Sequence, residues 1–176
     1  MPKNIIKTPI LETPIGKMFA ASTNIGICLL MFYNRQTIKK NINTLEKMFD
    51  AQIIPSYNNY FETLSKELKE YFKNNLQTFT TPLHLKGTPF QMKAWKMLQT
   101  IPYAQTISYQ EQAKLLNNPK AIRAVANANA NNLISILIPC HRVIGKNGTL
   151  RGYAGGIDKK KFLLNLEKKT FEKIKK

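Results

Sequence analysis

The sequence predicts a mixed α/β (α+β) protein in two parts. A small antiparallel sheet with flanking helices comes first, and a mostly helical C-terminal domain with a helix-turn-helix follows. Three observations predict it. Two apolar stretches joined by a turn-like connection open the chain, two amphipathic repeats follow them, and paired helix-start signatures begin at Thr88. With 176 residues and 43% hydrophobic composition, a packed core is within reach for one domain or two small ones.

The apolar stretches run from Ile15 to Ser22 and from Gly26 to Tyr33, and Thr23-Asn24-Ile25-Gly26 reads as a hairpin connection. Cys28, among Ile27, Leu29 and Leu30, reads as a small buried hydrophobe. Ile38, Ile42, Leu45 and Phe49 recur at helical spacing, as do Tyr60, Leu64, Leu68, Tyr71 and Phe72. The lysine–glutamate mixture between Lys66 and Lys73 reads as a solvated face. A boundary falls between Gln77 and Thr88, where Thr80, Thr81, Pro82, Gly87 and Pro89 break any periodicity. The expected domains are 1–84 and 88–176.

Beyond the boundary, Thr88-Pro89-Phe90-Gln91 combines an N-cap, Pro at the first helical position and Gln three residues past the cap. Phe90, Ala94, Trp95, Met97 and Leu98 supply that helix with a buried face. Ser108-Tyr109-Gln110-Glu111 is a second capping box and opens a short helix through Leu116. A third helix is expected from Pro119 to about Asn129, capped by Asn118 and rich in alanine. Two short helices joined by Leu116-Asn117-Asn118 fit a helix-turn-helix or a plain helical hairpin. Lys120 and Arg123 on the third helix favour the first. Its small side chains carry little base-reading code but let the backbone approach a duplex closely, which suits shape-driven minor-groove contact.

Charge narrows the partners. Twenty-seven Lys and Arg against ten Asp and Glu give a net +17, of which +12 falls in residues 88–176. A basic half of this kind points to a polyanion, nucleic acid before an anionic membrane surface. No apolar run reaches the roughly 18 residues that span a bilayer, and no secretory leader is read at Met1-Pro2-Lys3-Asn4. Two cysteines make no disulfide framework, so the expected location is the cytoplasm. Cys28, Cys140, His84 and His141 match no zinc spacing, and no cofactor motif is present.

Ile134 to Ile138 reads as a short buried strand that delivers Pro139-Cys140-His141-Arg142 at its end. A thiol beside an imidazole and a guanidinium is a setting in which a thiol pKa can be depressed. A Cys–His pair alone is more often a chance pairing or a buried structural thiol. Cys140 is the one thiol of the C-terminal half and hence its candidate nucleophile. Of the four carboxylates there, Glu111 is occupied by its capping box and Asp158 is placed to cap the last helix. Glu167 falls four residues after Leu163 on an apolar stripe, where a carboxylate needs a partner.

Ile138-Pro139-Cys140-His141-Arg142-Val143 resembles the active-site motif of the O6-alkylguanine-DNA alkyltransferases, the methylated-DNA–protein-cysteine methyltransferases. Thr88-Pro89-Phe90-Gln91, Ile107-Ser108-Tyr109, Asn118-Pro119-Lys120-Ala121, Arg123-Ala124-Val125, Gly152-Tyr153-Ala154-Gly155-Gly156 and Lys161-Phe162-Leu163-Leu164 with Glu167 resemble further family blocks, in the family order. The N-terminal half resembles the family through Thr13-Pro14-Ile15-Gly16. The resemblance implies a ribonuclease-H-like N-terminal domain and suicide transfer of an alkyl group from guanine O6 in double-stranded DNA to Cys140, by a monomer without a cofactor. It implies that His141 takes the thiol proton through a water and Glu167 orients the imidazole. Asn132 would tie the active-site segment to the helix-turn-helix. Tyr109 would bond the flipped base at N3, the backbone of Cys140 and Val143 would read its exocyclic amine, and the Ala154 amide would donate to O6. Arg123 would fill the gap in the duplex. Leu133, Ser135, Ala126 and Phe162 depart from the family pattern; Ser135, at a pocket-wall position, and the loop after Gly152 bear on the size of alkyl group accepted. A non-catalytic alkylguanine-binding protein and a helix-turn-helix regulator are the alternatives. Cys140 argues against the first, and the alanine-rich helix against the second.

Overall fold

The computed structural model describes residues 4–174, with side chains to residue 172. The chain divides into two compact units that meet at Lys86 and Gly87. In the first, strands β1 (Asn4–Thr8), β2 (Ile10–Leu11), β3 (Met18–Ser22) and β4 (Ile27–Phe32) pair antiparallel around β3. The expected hairpin is the β3–β4 pair, its turn closed by Thr23 N–H to Gly26 O at 3.0 Å. The sheet is not wholly antiparallel, however. After helix α1 (Arg35–Phe49) the chain enters β5 (Ala51–Pro55), which runs parallel to β1. Only the crossover helix allows that pairing, and five residues ending in Pro55 carry too short an alternation to mark it in sequence. Ile6, Phe19, Ala21, Leu29, Leu45 and Phe49 form a core between sheet and α1. Cys28 is buried beside them, and burial pushes its thiol up to about 12, as expected of a small hydrophobe.

Helix α2 (Asn59–Phe72) buries Leu64, Leu68 and Tyr71, as its periodicity predicts, and also Phe61, while the predicted Tyr60 and Phe72 are half-buried. Glu67 overturns the reading of its polar side as fully solvated. Its carboxylate is 8% exposed and accepts the N–H and hydroxyl of both Thr80 and Thr81, at 2.5–3.1 Å. These bonds hold its pKa below the usual carboxylate value against the opposing effect of burial. The segment folded back onto Glu67 continues along the sheet edge, where Ile27 N–H donates to Pro82 O and His84 N–H to Ile27 O. Gly26 is required there, since a Cβ would stand 2.5 Å from Pro82 O.

The second unit holds α3 (Pro89–Leu98), β6 (Ile107–Ser108), α4 (Tyr109–Leu115), α5 (Ile122–Ala130), a 3-10 turn (Cys140–Arg142), β7 (Val143–Ile144) and α6 (Ile157–Ile174). Both predicted capping boxes are present, Thr88 with Gln91 and Ser108 with Glu111. The third helix starts at Ile122 and not at Pro119. Asn118 is spent on the end of α4: its N–H bonds Ala113 O, the Asn117 N–H bonds Lys114 O, and Asn117 takes φ 56°. After that Schellman closure the Asn118 carbonyl accepts the Ala121 N–H at 2.9 Å, a single turn over 118–121 that precedes the helix, so Lys120 lies in the turn before α5. Asp158 lies in the first turn of α6. The alanines of α5 do two jobs. Ala128 is buried and its carbonyl accepts the Trp95 indole N–H of α3 at 2.8 Å, whereas Ala124 is exposed beside Arg123. A reciprocal amide pair, Gln112 with Asn129, locks α4 to α5.

Replacing Glu67 by Ala leaves the Thr80 and Thr81 N–H groups without their acceptor. Denaturant unfolding of the full chain is expected to show a loss of about 1–3 kcal/mol. An unchanged midpoint would contradict the clamp.

Candidate active site

The segment carrying the cysteine is built by Asn132. Its Nδ2 donates to Ile138 O at 2.9 Å and lies 3.2 Å from Cys140 Sγ, while its Oδ1 accepts the Ile134 N–H at 3.0 Å. The expected strand over Ile134–Ile138 is instead a run of buried turns. Ile138 N–H bonds Ile134 O, and Ile136 sits at φ 72°. A β-branched residue in that region is strained by about 1–3 kcal/mol. The winding brings a backbone carbonyl and the thiol onto the same amide nitrogen, which an extended strand would separate. Sequence could not reveal it, because a buried strand and a buried turn of aliphatic residues look alike.

Past the 3-10 turn, β7 pairs parallel with β6 through Val143 with Ile107 and Ile144 with Ser108. The pairing places Tyr109, the first residue of α4, next to the cysteine segment. The phenols of Tyr109 and Tyr153 are both pushed up, by burial first and by the nearby Cys140 second. The Tyr109 hydroxyl donates to Arg151 O at 3.0 Å.

The Cys140 thiol is buried, and burial pushes its pKa up, opposed by the Asn132 hydrogen bond and the charge of Lys160. A depressed thiol pKa from the Arg142 guanidinium is therefore not what the structure gives. Arg142 turns to Glu167 instead, with Nε and Nη2 donating to the two carboxylate oxygens at 3.0 Å each and Nη1 donating to Ile101 O at 2.7 Å. His141 Nε2 lies 2.8 Å from Glu167 Oε1, both side chains fully buried. The other ring nitrogen, Nδ1, has no hydrogen-bond partner among the described residues.

Lys160 is the cation that sequence reasoning missed. It is fully buried, its Nζ donating to Val143 O at 2.6 Å and Arg151 O at 2.8 Å. Burial lowers its pKa to about 8, with Cys140 opposing. The spacing that picks out Glu167 also reaches it. Lys160, Leu163, Glu167 and Thr170 are all buried on one stripe of α6, but only Leu163 announces that stripe by hydrophobicity.

Cys140, His141, Glu167, Asn132, Tyr109 and Val143 thus meet at one centre, and Ser135 is buried near it, close to Tyr153. Arg123, Lys120 and Ala154 are exposed. Among the described residues no cluster of His, Cys, Asp or Glu could hold a metal ion, and no helix is long and apolar enough to cross a membrane.

Residues 89–169 match the family described as "6-O-methylguanine DNA methyltransferase, DNA binding domain", and residues 6–85 match its "ribonuclease-like domain". A methylated-DNA–protein-cysteine methyltransferase of Methanosarcina acetivorans is 42% identical over 158 residues, 90% of this chain and 96% of that protein. The constitutive one of Bacillus subtilis is 38% identical over 164 residues, 92% and 94% of the two chains. The crystal structure of Mycobacterium tuberculosis OGT in complex with DNA is similar at a TM-score of 0.78 and 37% identity, over 94% of each chain. The chain belongs to the methylated-DNA–protein-cysteine methyltransferase family.

Glu167 sets the acid stability of this centre. Burial would raise its pKa, but the bonds and charges of His141 and Arg142 override it and hold the value at about 2, below the ordinary 4.5. The stabilisation is complete above 4.5 and is lost as pH falls from there towards 2. His141, lowered from 6.5 chiefly by burial, acts in the same sense as pH falls below that value. Unfolding midpoints are expected to drop steeply on acidification, and Glu167→Gln to flatten the drop below pH 4.5. Identical pH profiles for both proteins would refute the assignment.

Proposed function

We propose that this protein repairs DNA by direct reversal, moving a methyl or larger alkyl group from guanine O6 in double-stranded DNA to Cys140, once per molecule. The observation that carries the reading is the convergence of Asn132, His141 with Glu167, and Tyr109 on one buried thiol. Helix α5 and the turn before it present Arg123 and Lys120 to solvent on the same unit. The basic charge of that unit supplies sequence-independent affinity for phosphate. The protein acts as a cytoplasmic monomer.

In the reaction, Arg123 holds the duplex gap while the damaged base is flipped out. His141 takes the thiol proton at Nδ1, through one water as the family resemblance implies. The sulfur lone pair forms the S–C bond as the C–O6 bond breaks, and that electron pair leaves on guanine. Tyr109, its hydroxyl turned from Arg151 O to donate at N3, and the Ala154 N–H at O6 stabilise the departing anion. The Cys140 and Val143 backbone reads the exocyclic amine, and Val143 O keeps a second lone pair for it beside the Lys160 bond. Asn132 and Lys160 supply the donor and the charge that stabilise the thiolate against its burial. Ser135 lines the alkyl pocket. The resulting thioether is not opened by water or thiol exchange, so the protein is consumed.

A binding protein or a transcription regulator would leave the chain's mass unchanged. Incubation with duplex DNA carrying O6-methylguanine is expected to add one CH2, about 14 Da, and to plateau at one equivalent. Cys140→Ala is expected to abolish the gain while retaining DNA binding. More than one methyl removed per molecule would overturn the mechanism. Arg123→Ala is expected to slow transfer from duplex far more than from free O6-methylguanine; equal slowing on both would place Arg123 in structure.

A further inference from the structure

Arg142 follows His141 in sequence and shares its carboxylate. The imidazole uses one oxygen of Glu167 at 2.8 Å, and the guanidinium fork holds both at 3.0 Å. The fork's remaining bonded nitrogen is fixed by Ile101 O, and the Tyr103 ring lies 5.6 Å from its centre. A buried carboxylate facing an imidazole with no other cation would draw a proton onto the ring and make it an imidazolium. An imidazolium has no lone pair to receive a thiol proton. Resting on the transfer reading above, we propose that Arg142 is a positioning residue: by neutralising Glu167 through both oxygens, it keeps His141 neutral, with Nε2 protonated and Nδ1 the free base.

The surroundings of His141 agree. Its own turn contributes Cys140 and Arg142, α6 contributes Glu167 and Lys160, and the loop before α6 contributes the Tyr153 ring at 6.5 Å. Glu167 is the one anion in that set at neutral pH, since the thiol and phenol of Cys140 and Tyr153 are pushed up. Burial, then Arg142 and Lys160, disfavour the charged ring, while Glu167 favours it. Arg142 is the cation bonded directly to that anion. Lys160 Nζ bonds instead to the Val143 and Arg151 carbonyls. Removing Arg142 therefore leaves Glu167 to act on the imidazole alone at close range.

Imidazole 15N NMR tests this on the free protein. The chain has two histidines, and a His84→Gln spectrum assigns them. His141 in the unmodified protein is expected to be neutral at pH 7 with the proton on Nε2; an imidazolium at that pH overturns the proposal without any variant being needed. Arg142→Gln is expected to raise the His141 midpoint by about one pH unit, the usual effect of one facing charge. Arg142→Lys, which keeps a cation, is expected to restore it. The acid limb of the single-turnover rate should move with the midpoint, lowering transfer about tenfold on that limb in Arg142→Gln. Slower transfer with an unmoved midpoint would make Arg142 merely structural and overturn the proposal. Absence of transfer by the unmodified protein would instead overturn the transfer reading, whatever the titration shows.

Discussion

The Glu167 carboxylate receives the His141 ring, two nitrogens of Arg142 and the Ala104 N–H, the last at 3.2 Å, and is fully buried. Burying a lone carboxylate costs several kcal/mol, so this oxygen pair is tolerable only while its donors stay in place. The donors come from separate parts of the second unit: the 3-10 turn after Cys140 and the connection between α3 and β6, with Glu167 itself on α6. Ala104 even adopts φ 60° where its N–H reaches the carboxylate. Desolvation therefore ties three segments into one arrangement, and the thiol is positioned as a consequence.

Asn132 plays the complementary part on the other side of the cysteine. A side-chain amide has two donors and one acceptor oxygen, and here they go to a carbonyl, a backbone N–H and a sulfur within an eight-residue span. The backbone between them is forced into tight turns, with Ile136 in a region β-branched residues avoid. That strain is sustained by burial of Ile134, Ile136 and Ile138. Apolar packing supplies the free energy, and one amide decides the shape.

The sequence-based reading succeeded where hydrophobicity or capping chemistry speaks locally. The β3–β4 hairpin, α1, α2 and both capping boxes are of that kind. It missed β5, whose pairing depends on a distant strand, and misplaced the start of α5, because Asn118 opens a single turn closed by the Ala121 N–H before the helix begins. The larger gap concerns buried polar groups. Glu67 on α2, with Lys160 and Glu167 on α6, lie on inward faces, yet hydrophobic periodicity scores each as an outward residue. Glu167 was recovered only because Leu163 precedes it by one turn and a family block contains it. Lys160, one turn before Leu163 on the same stripe, is reached by the same spacing but lies in no family block, and Arg142 sits in the motif without its partner being visible.

Charge in this chain works at two ranges. The surplus of the C-terminal half, seen in exposed residues such as Arg123 and Lys120, acts through solvent, where screening limits its reach to about 8–10 Å at moderate salt. It can draw a polyanion to the surface but cannot tune a desolvated thiol. That task falls to groups inside the dry region, where each interaction is stronger and each unpaired charge costs more. Lys160 and Asn132 oppose the burial that raises the thiol, and Arg142 with Glu167 govern the imidazole. Since the two sets do not share side chains, surface lysines are free to vary in number without disturbing the centre. The centre is constrained instead by its own balance: Arg142 must offset Glu167 while Lys160 remains near the thiol. A change to any one of these changes what the other two do to the protons of Cys140 and His141.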